Sequence, residues 1–162
     1  MESMPLAPRS RKESMTEMTE YVLPQHANAL GNVFGGQIMA WVDLCAAITA
    51  QRHAGLMSVT AFVDDLMFEN PVKVGEVVHL SAQLTATFRT SMEVEVTVTG
   101  EDLRTRRRWP CLHAYLSFVC IDEEGKPTPV PPLLIDHPEV EASQALGLER
   151  RAHRLLKNAR QK

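Results

Sequence analysis

HANALGNVFGGQIMAWVDLCAA, residues 26–47, is the stretch on which the fold turns. From Gly36 to about Ala54 apolar side chains recur at helical spacing through Ile38, Met39, Val42, Cys45, Ala46 and Ile48, and His53-Ala54-Gly55 supplies the stop. Trp41 and Leu44 add apolar groups on a second face, so the helix is expected to be buried on most sides. Asp43 breaks the pattern, with Met39 and Ala47 one turn away to either side. Burying a carboxylate there is costly unless it is hydrogen-bonded or unless a raised pKa serves a purpose.

The segments around this helix have strand texture. MTEMTEYVL (15–23) is a short strand ended by Pro24. After the helix come LMSVTAFVDDLMF (56–68), EVVHLSAQLTATF (76–88), SMEVEVTVTGED (91–102) and LHAYLSFVCID (112–122), separated by turn residues. The third alternates Met92, Val94, Val96 and Val98 with polar residues, the mark of a half-buried antiparallel strand. One long helix followed by a meander predicts an α+β domain whose sheet wraps the helix. Strands this long leave open edges, which call for a partner chain. PTPVPPLLI (127–135) reads as an extended strap and residues 139–162 as an exposed or loosely docked, charged helix. Residues 1–14 are expected to be a disordered arm.

With 162 residues, 44% of them hydrophobic, the chain suits one domain with a sizeable core. A net charge of -3 gives no whole-chain drive toward nucleic acid or a membrane surface. Cys45, Cys111 and Cys120 are odd in number and lack metal-ligand spacing, which fits neither a disulfide framework nor a zinc site and favours a reducing cytoplasm. The first residues lack the apolar core of a signal peptide, and no apolar run is long enough to span a bilayer.

The chemistry concentrates at the helix start. A first helical turn presents free N–H groups, and Gly35, Gly36 and Gln37 are placed to offer them to a developing oxyanion. A lone glycine pair more commonly just permits a tight loop. Asp43 is the candidate general base or nucleophile, with a solvated helix face as the plainer alternative. Asn28 and Asn32 are ordinary loop residues, but a side-chain amide close to such donors can orient water with its oxygen or polarise a carbonyl with its nitrogen. His26 is a weaker candidate base. Arg89-Thr90-Ser91, in a tight hairpin, combine a cation and two hydroxyls suited to phosphate, although polar turn residues need no ligand. Arg104 and Arg106–Arg108 read as solvated turn charges.

HANALGNVFGGQIMAWVD, with RTSMEV downstream and the tail GKPTPVPPL, resembles the hotdog-fold acyl-coenzyme A thioesterases of the cytosolic acyl-CoA hydrolase group, over roughly residues 14–135. The resemblance implies a hotdog domain over 15–135, followed by a charged helical extension over 136–162. It also implies double-hotdog homodimers that assemble further into hexamers as trimers of dimers, with active sites between chains. By position, Asp43 matches the family's catalytic aspartate and Asn28 its catalytic asparagine, contributed by the other subunit. Gly35 and Gly36 match the glycines that hold the thioester oxygen, and Arg89, Thr90 and Ser91 a segment associated with the nucleotide end of coenzyme A. Many relatives carry histidine where this chain has Phe34, a difference that bears on pocket shape.

On that resemblance the expected reaction is hydrolysis of a fatty acyl-CoA, with coenzyme A present only as part of the substrate and product and with no cofactor or metal. Asp43 would activate water or attack directly, and the sequence does not choose between these routes. Two other readings use the same architecture: an acyl-thioester dehydratase or hydratase working through a histidine, for which His26 is the nearby choice, and a non-catalytic acyl-CoA-binding regulator.

Overall fold

The computed structural model describes residues 5–161. In chain order the elements are β1 (Thr16–Tyr21), α1 (Gly35–Ala54), β2 (Ser58–Phe68), β3 (Val77–Thr87), β4 (Ser91–Glu101), β5 (Arg108–Cys120) and α2 (Pro138–Ala159). The strands form one antiparallel sheet in the order β1-β3-β4-β5-β2, with α1 against one face, which is the hotdog arrangement the sequence predicts. α1 begins at Gly35 and ends where Gly55 takes a left-handed φ of 71°.

Strand alternation builds the core. Val78, Leu80, Ala82 and Leu84 of β3 and Met92, Val94, Val96 and Val98 of β4 are buried, as are Leu112, Ala114, Leu116 and Phe118 of β5. They cluster with Ile38, Trp41, Val42, Cys45, Ala46 and Ala50 of α1. Cys45, Cys111 and Cys120 are free and buried, and burial pushes the thiols of Cys45 and Cys111 up to about 11.

The structure corrects three expectations. β5 starts at Arg108, not residue 112, because Pro110 sits where the pairing with β4 shifts register and Trp109 lies flat against Gly100. A proline inside a strand reads as a break in the sequence, yet it is accommodated at such an irregularity. The arm over 1–14 is ordered in its second half: Arg9 N–H donates to Pro132 O at 2.9 Å, Leu134 N–H donates back to Arg9 O at 2.9 Å, and Arg11–Glu13 form a 3₁₀ turn. Residues 1–4 of that arm, and Lys162 of the extension, lie outside the described residues. Third, the helix in the C-terminal extension is firmly docked. α2 crosses the outer face of the sheet, where Ser143 Oγ donates to Thr85 O at 2.7 Å and Gln144 bridges the N–H and C=O of Thr87, both at 2.9 Å. Gly147 allows the close approach, since a Cβ there would stand 2.4 Å from that of Ala86.

β2 is one of the two edge strands, with β1 at the other side, and it carries a bulge at Ala61 between the partners Thr60–Phe118 and Phe62–Ser117. The extra residue shifts the alternation. Thr60 therefore points toward α1, while Phe62 and Asp64 point to the outer face, where they meet Arg154 of α2. Among the described residues no helix is long and apolar enough to cross a membrane.

Candidate active site

The loop before α1 is a rigid platform. Val33 N–H donates to Val72 O at 2.7 Å, Phe34 N–H to His26 O at 2.7 Å, and Asn28 N–H to Asn32 O at 2.8 Å. Asn28 Oδ1 accepts from Leu30 N–H at 2.9 Å and Asn32 N–H at 3.3 Å. Two backbone donors on that atom identify it as the oxygen, so Asn28 has its Nδ2 hydrogens to offer. Of the two uses expected of this amide, polarising a carbonyl with its nitrogen is the one these bonds leave open. His26 is committed elsewhere. Its Nδ1 accepts from Leu23 N–H at 3.1 Å, and its ring packs edge-on against Trp41 at 5.0 Å. With Nδ1 taken as an acceptor, the neutral ring carries its proton on Nε2 and keeps no free lone pair. His26 is therefore not placed to act as a base, which removes the dehydratase reading's histidine.

At the helix start Phe34 is the N-cap and provides no side-chain cap. Gln37 N–H is already used, donating to Phe34 O at 2.9 Å, so Gln37 drops out of the expected donor set. The first-turn donors that this bond leaves are the amides of Gly35 and Gly36. A Cβ at Gly36 would stand 2.6 Å from the Phe34 ring, so that glycine seats the ring. Gly35 is different: a Cβ there would make only ordinary contact with Phe68, at 3.5 Å. Neither packing nor backbone geometry demands glycine at 35. Asn28, Gly35, Ile38, Phe68 and Asn70 line one cleft of about 290 Å³.

Asp43 is not in that cleft. Eight residues further along α1, it lies about 12 Å from Gly35 at 1.5 Å rise per residue. It is exposed on the protomer, the solvated-face alternative that the sequence left open, and it sits among Met39, Ala40 and Leu44, also exposed. Thr60 Oγ1 donates to Asp43 Oδ1 at 2.6 Å. The sequence reading missed Thr60, because a threonine in a strand is ordinary and only the bulge at Ala61 aims it at the helix.

The Arg89–Ser91 hairpin lies at the other end of the sheet. On β5, Leu112 is level with Phe68 beside the Asn28 cleft and Val119 is level with Ser91, a separation of roughly 24 Å at 3.4 Å per residue. Arg89 is exposed, while its carbonyl and that of Thr90 are tied to Val130 N–H and Cys120 N–H at 3.1 and 2.9 Å. One protomer thus holds three separate pieces of chemistry: an amide-lined cleft, an exposed carboxylate and a basic hairpin. Val59, Phe62, Val63, Met67 and Phe68 of the unpaired β2 edge are 41–67% exposed, and Met39 and Leu44 extend the apolar surface on α1. An edge of this length and character is built to be covered.

Residues 30–106 match the thioesterase superfamily. The chain is 38% identical over 120 residues to an uncharacterized acyl-CoA thioester hydrolase of Bacillus subtilis, covering 74% of this chain and 70% of that one. It spans only 20–25% of the length of the mammalian acyl-CoA and acetyl-CoA thioesterases that it matches. Among solved structures, an apo-hexameric acyl-CoA thioesterase superposes with a TM-score of 0.90 at 36% identity, covering 95% of this chain and 99% of that one. An acyl-CoA hydrolase from Staphylococcus aureus, solved in complex with butyryl coenzyme A, coenzyme A and coenzyme A disulfide, superposes with a TM-score of 0.84 at 33% identity, covering 94% and 95%. That hydrolase has also been solved as separate variants in which an aspartate, an asparagine and a threonine are replaced by alanine.

Proposed function

The chain belongs to the thioesterase superfamily, and we propose that it hydrolyses fatty acyl-coenzyme A to a free acid and coenzyme A at a site completed by a second copy of itself. The observation that carries the reading is the placement of Asp43: a carboxylate held by Thr60 on an apolar, uncovered surface, about 10–12 Å along the helix from the free amides of its own chain. Antiparallel pairing of two β2 edges turns the second copy end for end. Its Asn28 and Gly35 then lie beside this chain's Thr60, Asp43 and Arg89–Ser91, and the three separated pieces surround one cleft. The oligomeric acyl-CoA thioesterase among the structural neighbours supports this reading, and so do the three residue types varied in the Staphylococcus aureus relative.

In this arrangement the thioester oxygen accepts hydrogen bonds from the Gly35 and Gly36 amides and the Asn28 amide nitrogen. Thr60 occupies one oxygen of Asp43 and fixes its rotamer, leaving Oδ2 to react. If Oδ2 takes a proton from water, the hydroxide adds to the carbonyl and coenzyme A leaves as a thiolate that the proton then reaches. If Oδ2 attacks instead, the C–S bond breaks, coenzyme A leaves as a thiolate and a mixed anhydride forms; water then opens the anhydride, and the proton it releases reaches the thiolate. Label entering Asp43 in a single turnover in heavy-oxygen water excludes simple general-base catalysis, which leaves that carboxylate unlabelled. Arg89, with the Thr90 and Ser91 hydroxyls, meets the phosphates of coenzyme A. Pairs of chains joined at β2 assemble further, into a hexamer.

Mixing two inactive variants tests the shared site. Asp43→Ala and Asn28→Ala each abolish thiol release from acyl-CoA. Co-refolded in equal amounts, they regain about a quarter of wild-type activity, because half the dimers are mixed and one of the two sites in each is intact. Absence of rescue, with mixed dimers shown to form, sinks the two-chain site.

A further inference from the structure

Three arginines lie on α2, and two of them have carboxylate partners: Arg150 holds Glu93 and Arg154 holds Asp64. Among the described residues Arg151 makes no ion pair, and neither does Arg89 of the β3–β4 hairpin. The Arg151 guanidinium lies instead over the Phe88 ring, its Cζ 5.1 Å from the centroid, and the residue is half-buried. A cation set on an aromatic face is partly withdrawn from water without being neutralised. Phe88 directly precedes Arg89, Thr90 and Ser91, the segment proposed above to meet the phosphates of coenzyme A.

Two local features turn Arg151 toward that hairpin. Gln144, seven residues earlier and so on the same flank of α2, bonds both backbone groups of Thr87. That flank therefore runs along the hairpin end of the sheet. On β4, Met92 and Val94 belong to the core, whereas Glu93 lies on the outer face beneath Arg150. Alternation places Ser91 on the outer face with Glu93, the side from which Arg151 approaches. The hairpin is fixed in place, with Phe88 N–H donating to Ser91 O at 2.8 Å and the carbonyls of Arg89 and Thr90 held by Val130 and Cys120.

The chemistry of the substrate says what a second free cation is for. Coenzyme A carries a diphosphate and, farther from the thioester, a 3′-phosphate on its ribose. One arginine with two hydroxyls leaves that much negative charge under-matched. The proposed thioester cleft lies on the α1 side of the sheet, and Arg151 reaches the hairpin from the other side. A substrate extended from the cleft meets the hairpin with its diphosphate and carries its 3′-phosphate on toward the outer face. We infer that Arg151 is a substrate-binding residue that recognises the 3′-phosphate of coenzyme A, with Phe88 as the surface that seats its guanidinium. This rests on the acyl-CoA reading proposed above.

Equilibrium titration of the full-length protein with coenzyme A and with dephospho-coenzyme A, which lacks only that phosphate, tests the assignment without requiring turnover. Wild type should bind coenzyme A at least ~10-fold more tightly, as one charge-assisted contact provides. Arg151→Met and Arg151→Gln, one keeping the length and the other the polarity, should each shrink the gap to within about twofold. Arg89→Met should weaken both ligands alike, because the diphosphate is common to both. In an Arg151 variant with wild-type circular dichroism, an undiminished gap overturns the inference, and so does an equal loss of both ligands. A wild type without a gap, or a gap abolished by Arg89→Met instead, overturns it too. Thiol release from acyl-CoA is read separately: a gap without turnover refutes the hydrolase reading alone, and turnover without a gap refutes the assignment of Arg151 alone.

Discussion

Replacing Arg150 with alanine should be among the most damaging single changes away from the active site. Glu93 lies on the outer face of the sheet with its side chain 1% exposed, beneath Arg150, whose side chain is 20% exposed. The guanidinium donates through Nε to both carboxylate oxygens at 3.1 Å and through Nη2 to Oε1 at 2.7 Å, while Thr85 Oγ1 donates to the same Oε1 at 2.6 Å. Arg150 also stacks on Tyr115, its Cζ 3.8 Å from the ring centroid. Truncation leaves a buried carboxylate with one hydroxyl donor, a loss of about 3–5 kcal/mol, and removes a stacking contact worth about 0.5–1 kcal/mol more. For a chain of this size that lowers Tm by roughly 7–24 °C. The Glu93→Gln/Arg150→Met double variant removes both charges and keeps the bulk, so it should lie within about 1–2 kcal/mol of wild type. Guanidinium unfolding at one fixed chain concentration measures all three, because assembly makes apparent stability concentration-dependent. If Arg150→Ala costs under about 1 kcal/mol, or the double variant is as unstable as the single one, the pair does not hold α2 in the way its geometry indicates.

Two further outcomes follow from the site and the core. Thr60→Val keeps the branched shape but removes the donor to Asp43; kcat should fall about 10-fold or more, with stability changed by under about 0.5 kcal/mol and Thr60→Ser retaining activity, and a kcat within twofold of wild type refutes a positioning role. His53 is buried, with Nε2 on Pro131 O at 2.8 Å and Nδ1 without a partner, and burial holds its pKa below the ordinary 6.5. The unfolded chain therefore binds this proton first, so the stability due to neutral His53 is complete above about pH 6.5 and is lost as pH falls through the lowered folded value, by up to about 1.4 kcal/mol per pH unit. Unfolding of wild type and His53→Gln across pH 7.5 to 5 should show the two curves converging as pH falls, and parallel curves refute the assignment.

The fold was legible because its signals are local. Helical spacing in 36–54 and alternation in 91–102 each report which face is buried, and both survive in the structure nearly to the residue. Features that depend on distant segments were not legible. Pro110 is tolerated only because the β4–β5 register shifts beside it, and Arg9 is ordered only because the strap 127–135 returns to pair with it. The docking of α2 was hidden for a related reason. Its contact side is polar, so a reading that assigns apolar residues to the inside turns the helix the wrong way round.

The same logic explains what the sequence said about Asp43. An apolar run on all sides of α1 argued for burial, and a carboxylate in it looked like a buried group. Within the protomer, Met39, Ala40, Asp43 and Leu44 are open to solvent. Composition records that a face needs covering and does not record which chain covers it. Asp43 and the exposed residues of β2 lie on the uncovered side, whereas Asn28 and the Gly35 amide point into a cleft some 12 Å away. A carboxylate separated from the free amides by that distance, on a surface with no cover of its own, is what the proposed division of the site between chains accounts for. On the proposed pairing, the exposed side of the α1 run is interior to the pair and not to the protomer.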